Sequence, residues 1–144
     1  MTLSIHDNLL VSYEVQCEQR TITLRTEYRD PNKPREFTNV VFKGVQAYHF
    51  YSDAFGNIIF DVANIPAEQF IKEFGVEISE LYRMNGSPTW AADLVSAPEY
   101  LREQGIKAFI LSASLGLSGW VLAHEISVAS IQPARGNDVP QDGL

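Results

Sequence analysis

The sequence predicts an α+β fold: a largely antiparallel sheet of about six to seven strands, with two to four short helices packed on one face. Three observations support this prediction. Apolar and polar residues alternate through much of the first 63 residues, as in half-buried strands. Between residues 65 and 104 the apolar residues recur every three or four positions, as in amphipathic helices. After residue 106 the strand pattern returns in two runs separated by serines and glycines.

The first two strands are predicted to form a hairpin over residues 8–28. A tight turn at Glu18–Gln19 would place apolar residues opposite one another in three pairs: Val15 with Ile22, Tyr13 with Leu24, and Leu9 with Tyr28. A slip of one residue would turn every apolar side chain to the other face, so this register is strongly specified. The same register puts Glu14 diagonal to Arg25 on the polar face.

The next elements are also predicted to be strands. The stretch 29–36 has two prolines and five charged side chains, which is typical of a loop. The run 37–53 reads as one long strand with a bulge or bend at Gly44. The turn residues at 53–57 then lead into a further strand over 57–63.

The helical region is predicted to begin at Pro66, a residue tolerated in a first helical turn. Gly75 suits a C-terminal cap, so a second short helix is expected after it. Ser87 before Pro88 is typical of another helix start. Ser96 and Glu99 have the spacing of a capping box, with Gly105 as the stop signal of that helix.

Two final strands are predicted over 106–113 and 119–131. Residues 1–131 therefore form a single globular α+β domain in this reading. The tail, residues 132–144, has two prolines and two glycines and little to bury. We expect it to be flexible.

The stretch "SASLGLSG" (112–119) is the most site-like in the chain. A phosphate-binding loop needs G-x-x-x-x-G-K-[ST] before a helix, but here the glycines are three apart, no lysine follows and a strand comes next. A hydrolase nucleophile turn needs G-x-S-x-G, which no serine here satisfies. We predict that Leu115–Ser118 is a hairpin loop, with Gly116 and Gly119 in backbone conformations that other residues resist. A small anion held by backbone N–H groups of the loop is the alternative.

The composition and charge of the chain indicate its cellular compartment and the kind of partner it can bind. The single cysteine cannot form an internal disulfide, the first ten residues lack the features of a leader peptide, and no apolar run is long enough to span a membrane. These features predict a cytoplasmic protein with no membrane association. The formal charge is −7, and residues 51–104 carry nine acids against three bases. Such a surface repels phosphate backbones, which argues against nucleic acid, and attracts a basic protein.

No catalytic motif is present, so the balance of the sequence favours a binding protein over an enzyme. The acidic middle segment and its aromatic residues are the expected docking surface for a protein partner: Glu73, Glu77, Glu80, Asp93, Tyr82 and Trp90. An exposed sheet edge or the helix bearing the tryptophan could also support a homodimer. The sequence implies no cofactor.

The alternative is a small ligand-binding protein or enzyme with a histidine and carboxylate pocket between sheet and helices. The candidate residues lie in distant segments that an antiparallel sheet could bring together: His49, His124, Asp61, His6 and Asp7. No two histidines are spaced as a metal pair on one element, so no metal site is predicted.

Three segments carry a resemblance: "IHDNLLVSYEV" (5–15), "VVFKGVQAYHFYSD" (40–53) and "YLREQGIKAFILSASLGLSGWVLAHEI" (100–126). Together they resemble small bacterial proteins of unknown function, some of which look like immunity proteins of toxin–immunity systems. The resemblance spans most of residues 5–128 and rests on general layout and an early His-Asp pair. It implies a cytoplasmic binder that masks a toxin domain, and it implies no catalytic residues.

Overall fold

The fold is α+β with an antiparallel sheet, as predicted. A computed structural model describes residues 5–83 and 93–131. Within those ranges the strands are β1 Leu9–Gln16, β2 Thr21–Tyr28, β3 Glu36–Lys43, β4 Ala47–Tyr51, β5 Ile58–Ile65, β6 Lys107–Leu115, β7 Ser118–Ala123 and β8 Glu125–Ile131, and the helices are α1 Ala67–Tyr82 and α2 Ala97–Glu103. The prediction of six to seven strands was too low, because two long apolar runs each divide into two strands.

The β1–β2 hairpin has the predicted register over most of its length. Val15 pairs with Ile22 and Tyr13 with Leu24, and Glu14 lies 3.5 Å from Arg25. The third predicted pair is wrong, because Leu9 faces Glu27 and not Tyr28. The register shifts between Leu10 and Ser12, so the extra residue there moves the start of β1 by one position.

The sheet folds over on itself because two pairs of strands are continuous in the chain. Its order is β4-β7-β6-β5-β1-β2-β3-β8, yet β3 runs into β4 through residues 44–46 and β7 runs into β8 through His124. The two outermost strands are therefore continuations of strands inside the sheet. One layer is β1-β2-β3-β8, the other is β5-β6-β7-β4, and strands change layer at bent corners.

Gly44 lies at one corner, which confirms the predicted bend. Its φ is +65°, and a Cβ there would lie 2.5 Å from the His124 ring carbon Cδ2 on the adjacent strand. Only glycine fits this crossing without strain. The predicted single strand over 119–131 is corrected, since it is interrupted at His124 where the partner strand also bends.

Two apolar cores lie on opposite faces of the second layer. One core fills the space between the layers and includes Leu24, Phe42 and Phe109. The other lies between the second layer and the helices and includes Phe70 and Trp120. Both described helices therefore pack on one face of the sheet, as predicted.

The helix boundaries differ from the prediction at Gly75, which was expected to end a helix. Instead α1 continues through it to Tyr82, and Gly75 is buried. Leu94 Cδ1 lies 3.3 Å from the position of a Cβ on Gly75, so the glycine allows the turn before α2 to pack against the middle of α1. The helix predicted to start at Ser87 lies outside the described residues.

The second helix begins and ends where the sequence indicates. Ser96 is its N-cap and Gly105, with φ of +70°, follows its end. The side chain of Ser96 bonds to Asp93 and not to the helix, so the capping-box hydrogen bond is not made. No described helix is long and apolar enough to cross a membrane. The predicted flexible tail, 132–144, lies outside the described residues.

Candidate functional site

The five residues of the predicted pocket occupy three separate places. His6 and Asp61 line one cavity, and Asp7 lies beside it with its carboxylate 3.1 Å from His6 Nδ1. His49 is on β4, and His124 is exposed at the corner between β7 and β8, where its Nδ1 lies 3.3 Å from the Gly105 carbonyl. The cavity lies between the two sheet layers and not between sheet and helices, as its lining residues from β3, β5, β6 and β8 establish.

His49 contacts the helical layer through a carboxylate. Its Nδ1 lies 2.8 Å from Glu77 Oε1 on α1, and both side chains are about one-third exposed. The same imidazole lies against Tyr51 and Trp120, with ring centroids 5.6 and 6.3 Å away. The His49–Glu77 pair thus ties the edge strand β4 to α1, and one of the predicted docking acids is engaged within the protein.

The other predicted acids of α1 face solvent. Glu73 and Glu80 belong to the exposed stripe of the helix, and Val76 lies between them with 78% of its surface exposed. Glu80 lies 3.8 Å from Arg83, and Glu73 accepts a hydrogen bond from Gln69. We call Glu73, Val76 and Glu80 the acidic face of α1.

The turn before α2 extends the same layer. Asp93 accepts hydrogen bonds from the hydroxyl of Ser96 and the backbone N–H of Val95. Both bonds lower the pKa of its carboxyl group, and the bond from Ser96 has the larger effect. Val95 projects from this turn with 93% of its surface exposed. Tyr82, in contrast, is half-buried at the end of α1, and burial raises the pKa of its phenol. Trp90 lies outside the described residues.

The loop built around Asp53 was predicted from the sequence only as a turn, not as a candidate site. This carboxylate accepts hydrogen bonds from the Asn57 amide, the Phe55 backbone N–H and the Tyr13 hydroxyl at 2.8–2.9 Å. The bonds lower the pKa of Asp53, that from Asn57 most, and the bond to Asp53 raises the pKa of Tyr13. Phe55 sits at the loop tip with a φ of +62° and 94% of its surface exposed.

Asn57 joins this loop to the serine–glycine hairpin. Its Oδ1 accepts hydrogen bonds from the backbone N–H groups of Ala54 and Leu117, both at 2.9 Å. A Cβ on Gly116, where φ is +92°, would lie 2.0 Å from that oxygen. The stretch Leu115–Ser118 is thus the hairpin turn between β6 and β7, as predicted, and the "DAFGN" sequence was the available signal for the loop it contacts.

The described residues contain no group of three or more histidine, cysteine or carboxylate side chains that could hold a metal ion. Comparison with known family models, curated proteins and solved structures finds no match to this chain. The site must therefore be interpreted from its own geometry.

Proposed function

We propose that this chain is a non-enzymatic, cytoplasmic protein-binding protein that docks a basic partner through the acidic face of α1. The observation that carries the proposal is the position of Val76. It is a largely exposed apolar side chain at the centre of a solvent-facing stripe, with Glu73 and Glu80 on either side. An exposed valine contributes nothing to the core of the free protein, whereas at an interface it is an apolar contact within a polar rim.

The turn before α2 supports the same surface. Leu94 packs at Gly75, which is adjacent to Val76 in α1, so this turn lies against the middle of the helix. Val95, next to that contact, is exposed and follows Asp93. The helical layer thus offers two apolar side chains among carboxylates, a combination that suits a partner with basic and apolar groups.

Charge supports the choice of a basic partner. Residues 67–103 contain seven acids and three bases, and Arg102 already pairs with Glu68. The remaining negative field would speed the encounter with a basic protein, and the effect would fall as salt screens it. The resemblance to immunity proteins gives the proposal its specific form, in which the partner is a basic toxin domain.

The proposal is tested by exchanging the charges of the acidic face. The double variant Glu73→Lys/Glu80→Lys alters the face while leaving the core untouched, because both side chains are exposed. The control Glu18→Lys/Glu36→Lys changes the net charge equally on exposed positions of the β1–β2 turn and the start of β3. The three proteins are immobilised and incubated with lysate of the source organism at low salt, then eluted with rising salt.

The expected result is a basic protein retained by the wild type and the control but lost from the acidic-face variant. Purified, that partner should bind the wild type with an affinity that decreases as salt increases. Equal binding of the partner to the acidic-face variant, an acidic partner, or no retained protein at low salt would each contradict the proposal.

A further inference from the structure

The cavity between the sheet layers is a second candidate site, separate from the acidic face. Its volume is about 540 Å³, within the range of about 300–1,000 Å³ typical of small-molecule pockets. Among the described residues, seven apolar side chains and three polar ones line it: Ile5, Val40, Phe60, Val62, Phe109, Ile126 and Val128, with His6, Asp61 and Asn64. A mainly apolar wall with a few polar groups is the usual composition of a ligand pocket.

The cavity exists because the two layers separate at this end of the molecule. Within the described ranges, β8 pairs only with β3, and the β5–β1 ladder is limited to the pair Leu9–Ile58. The second half of β5 and the outer edge of β8 therefore diverge without hydrogen bonds between them. Phe60 and Asp61 on β5 and Ile126 on β8 line the cavity, and the two β5 side chains are exposed to solvent.

The polar side chains that line the cavity differ in the contacts they make with other residues. His6 contacts Asp7, and its ring lies 4.9 Å from that of Phe60. Asp61 and Asn64, in contrast, form no side-chain hydrogen bond or ion pair with any residue in the described part of the chain. The cavity thus combines an apolar wall with an exposed carboxylate, Asp61, that forms no ion pair with a base among the described residues.

We propose that this cavity binds a small amphipathic molecule with an apolar body and a positively charged amine. The apolar body would displace water from the wall formed by Val40, Phe109 and Val128, which favours binding through the hydrophobic effect. The amine would donate charge-assisted hydrogen bonds to Asp61 at the opening. This site does not rest on the proposed partner-binding function, since its lining residues and those of the acidic face are different.

The test uses three probes with the same tail and different head groups: octylamine, octanol and octanoate. Each is titrated into the full chain, with affinity from calorimetry and location from backbone amide chemical shifts. Asp61→Asn removes the charge at nearly constant volume. Glu103→Gln is the matched control, because it removes one exposed carboxylate on α2, away from the cavity. Val62→Phe fills part of the cavity, and circular dichroism checks that each variant folds.

We expect octylamine to bind at least about fivefold more tightly than octanol, since a charged hydrogen bond exceeds a neutral one. Asp61→Asn should remove that preference and leave octanol binding unchanged, and Glu103→Gln should alter neither. Val62→Phe should weaken all three probes. Equal affinities for the three probes, tighter binding of octanoate, an unaltered preference in Asp61→Asn, or no binding to the wild type would each overturn the proposal.

The outcome is distinguishable from that of the proposed function. The variant Glu73→Lys/Glu80→Lys should bind octylamine as the wild type does, because neither residue lines the cavity. Loss of octylamine binding in that variant would show that the amine is attracted by the acidic helix and not by Asp61.

Discussion

Replacement of Gly119 by alanine should destabilise the protein strongly. A Cβ at this position would lie 1.9 Å from the His49 carbonyl oxygen and 2.9 Å from Phe50 Cα, and both atoms belong to the backbone of β4. A backbone neighbour cannot rotate away as a side chain can, so β4 and β7 must move apart. The φ of Gly119, +154°, is in addition a value that other residues rarely adopt.

The expected loss of stability follows from two contributions. A side chain forced into a glycine conformation costs about 1–3 kcal/mol. Separation of β4 and β7 at Phe50–Gly119 weakens one or two ladder hydrogen bonds, each worth about 1 kcal/mol. The sum is about 3 kcal/mol, a large part of the 5–15 kcal/mol that typically separates folded and unfolded states. For a chain of this length the midpoint of thermal unfolding should fall by roughly 6–12 °C.

Urea denaturation followed by far-UV circular dichroism measures this loss directly. Gly56→Ala is the matched control, because no atom of the described residues, apart from its two chain neighbours, lies within 4 Å of its Cβ position, and its φ is not positive. Its stability should stay within about 0.5 kcal/mol of the wild type or rise slightly. A Gly119→Ala protein within about 1 kcal/mol of the wild type would refute the argument from the close approach of β4, since the strain of the conformation alone costs about that much.

Two further predictions test the core and the Asp53 loop. Phe70→Ala should cost about 3–5 kcal/mol in urea denaturation, since this ring is fully buried against Trp120, whereas Phe55→Ala should change stability by less than about 0.5 kcal/mol. Equal losses of stability in the two variants would contradict the placement of Phe70 in the core and of Phe55 at an exposed loop tip. The pKa of Asp53 is lowered in the folded state, so its stabilising contribution is present above its ordinary value of 3.8 and is lost as the pH falls through the folded value. Asp53→Asn should therefore be less stable at neutral pH and lose less stability on acidification, and parallel pH–stability curves for the two proteins would exclude this role.

Local sequence patterns were sufficient to predict those elements whose structure depends on residues close by in the chain. The β1–β2 register followed from alternation, because one face of each strand packs in the core and any slip would expose it. Gly44 and Gly116 were recognised as a bend and a turn, because a positive φ at a strand end is a local requirement.

Long-range packing decided the features that the sequence did not reveal. Gly75 is a typical helix stop, but its role is to admit Leu94 against α1, a contact between residues distant in the chain. That His6 and Asp61 line one cavity depends on β1 lying beside β5, and nothing in the sequence of either strand specifies that order. The candidate histidines could therefore be named from the sequence, but the sequence could not show that they lie in three separate places.

The alternation of side chains along β7 explains why two independent sites can coexist in so small a protein. Trp120 and Leu122 point toward the helices, while Val121 between them points into the core between the layers. The helical layer and the cavity therefore lie on opposite sides of the same strands, separated by two sets of buried side chains. A substitution in the acidic face, such as Glu80→Lys, reaches neither core, and Asp61→Asn reaches only the opening of the cavity. Because sites without shared contacts behave additively, a protein carrying both changes should show the two binding defects unchanged in size. A coupling between them would mean that β6 and β7 transmit a displacement from one face of the sheet to the other.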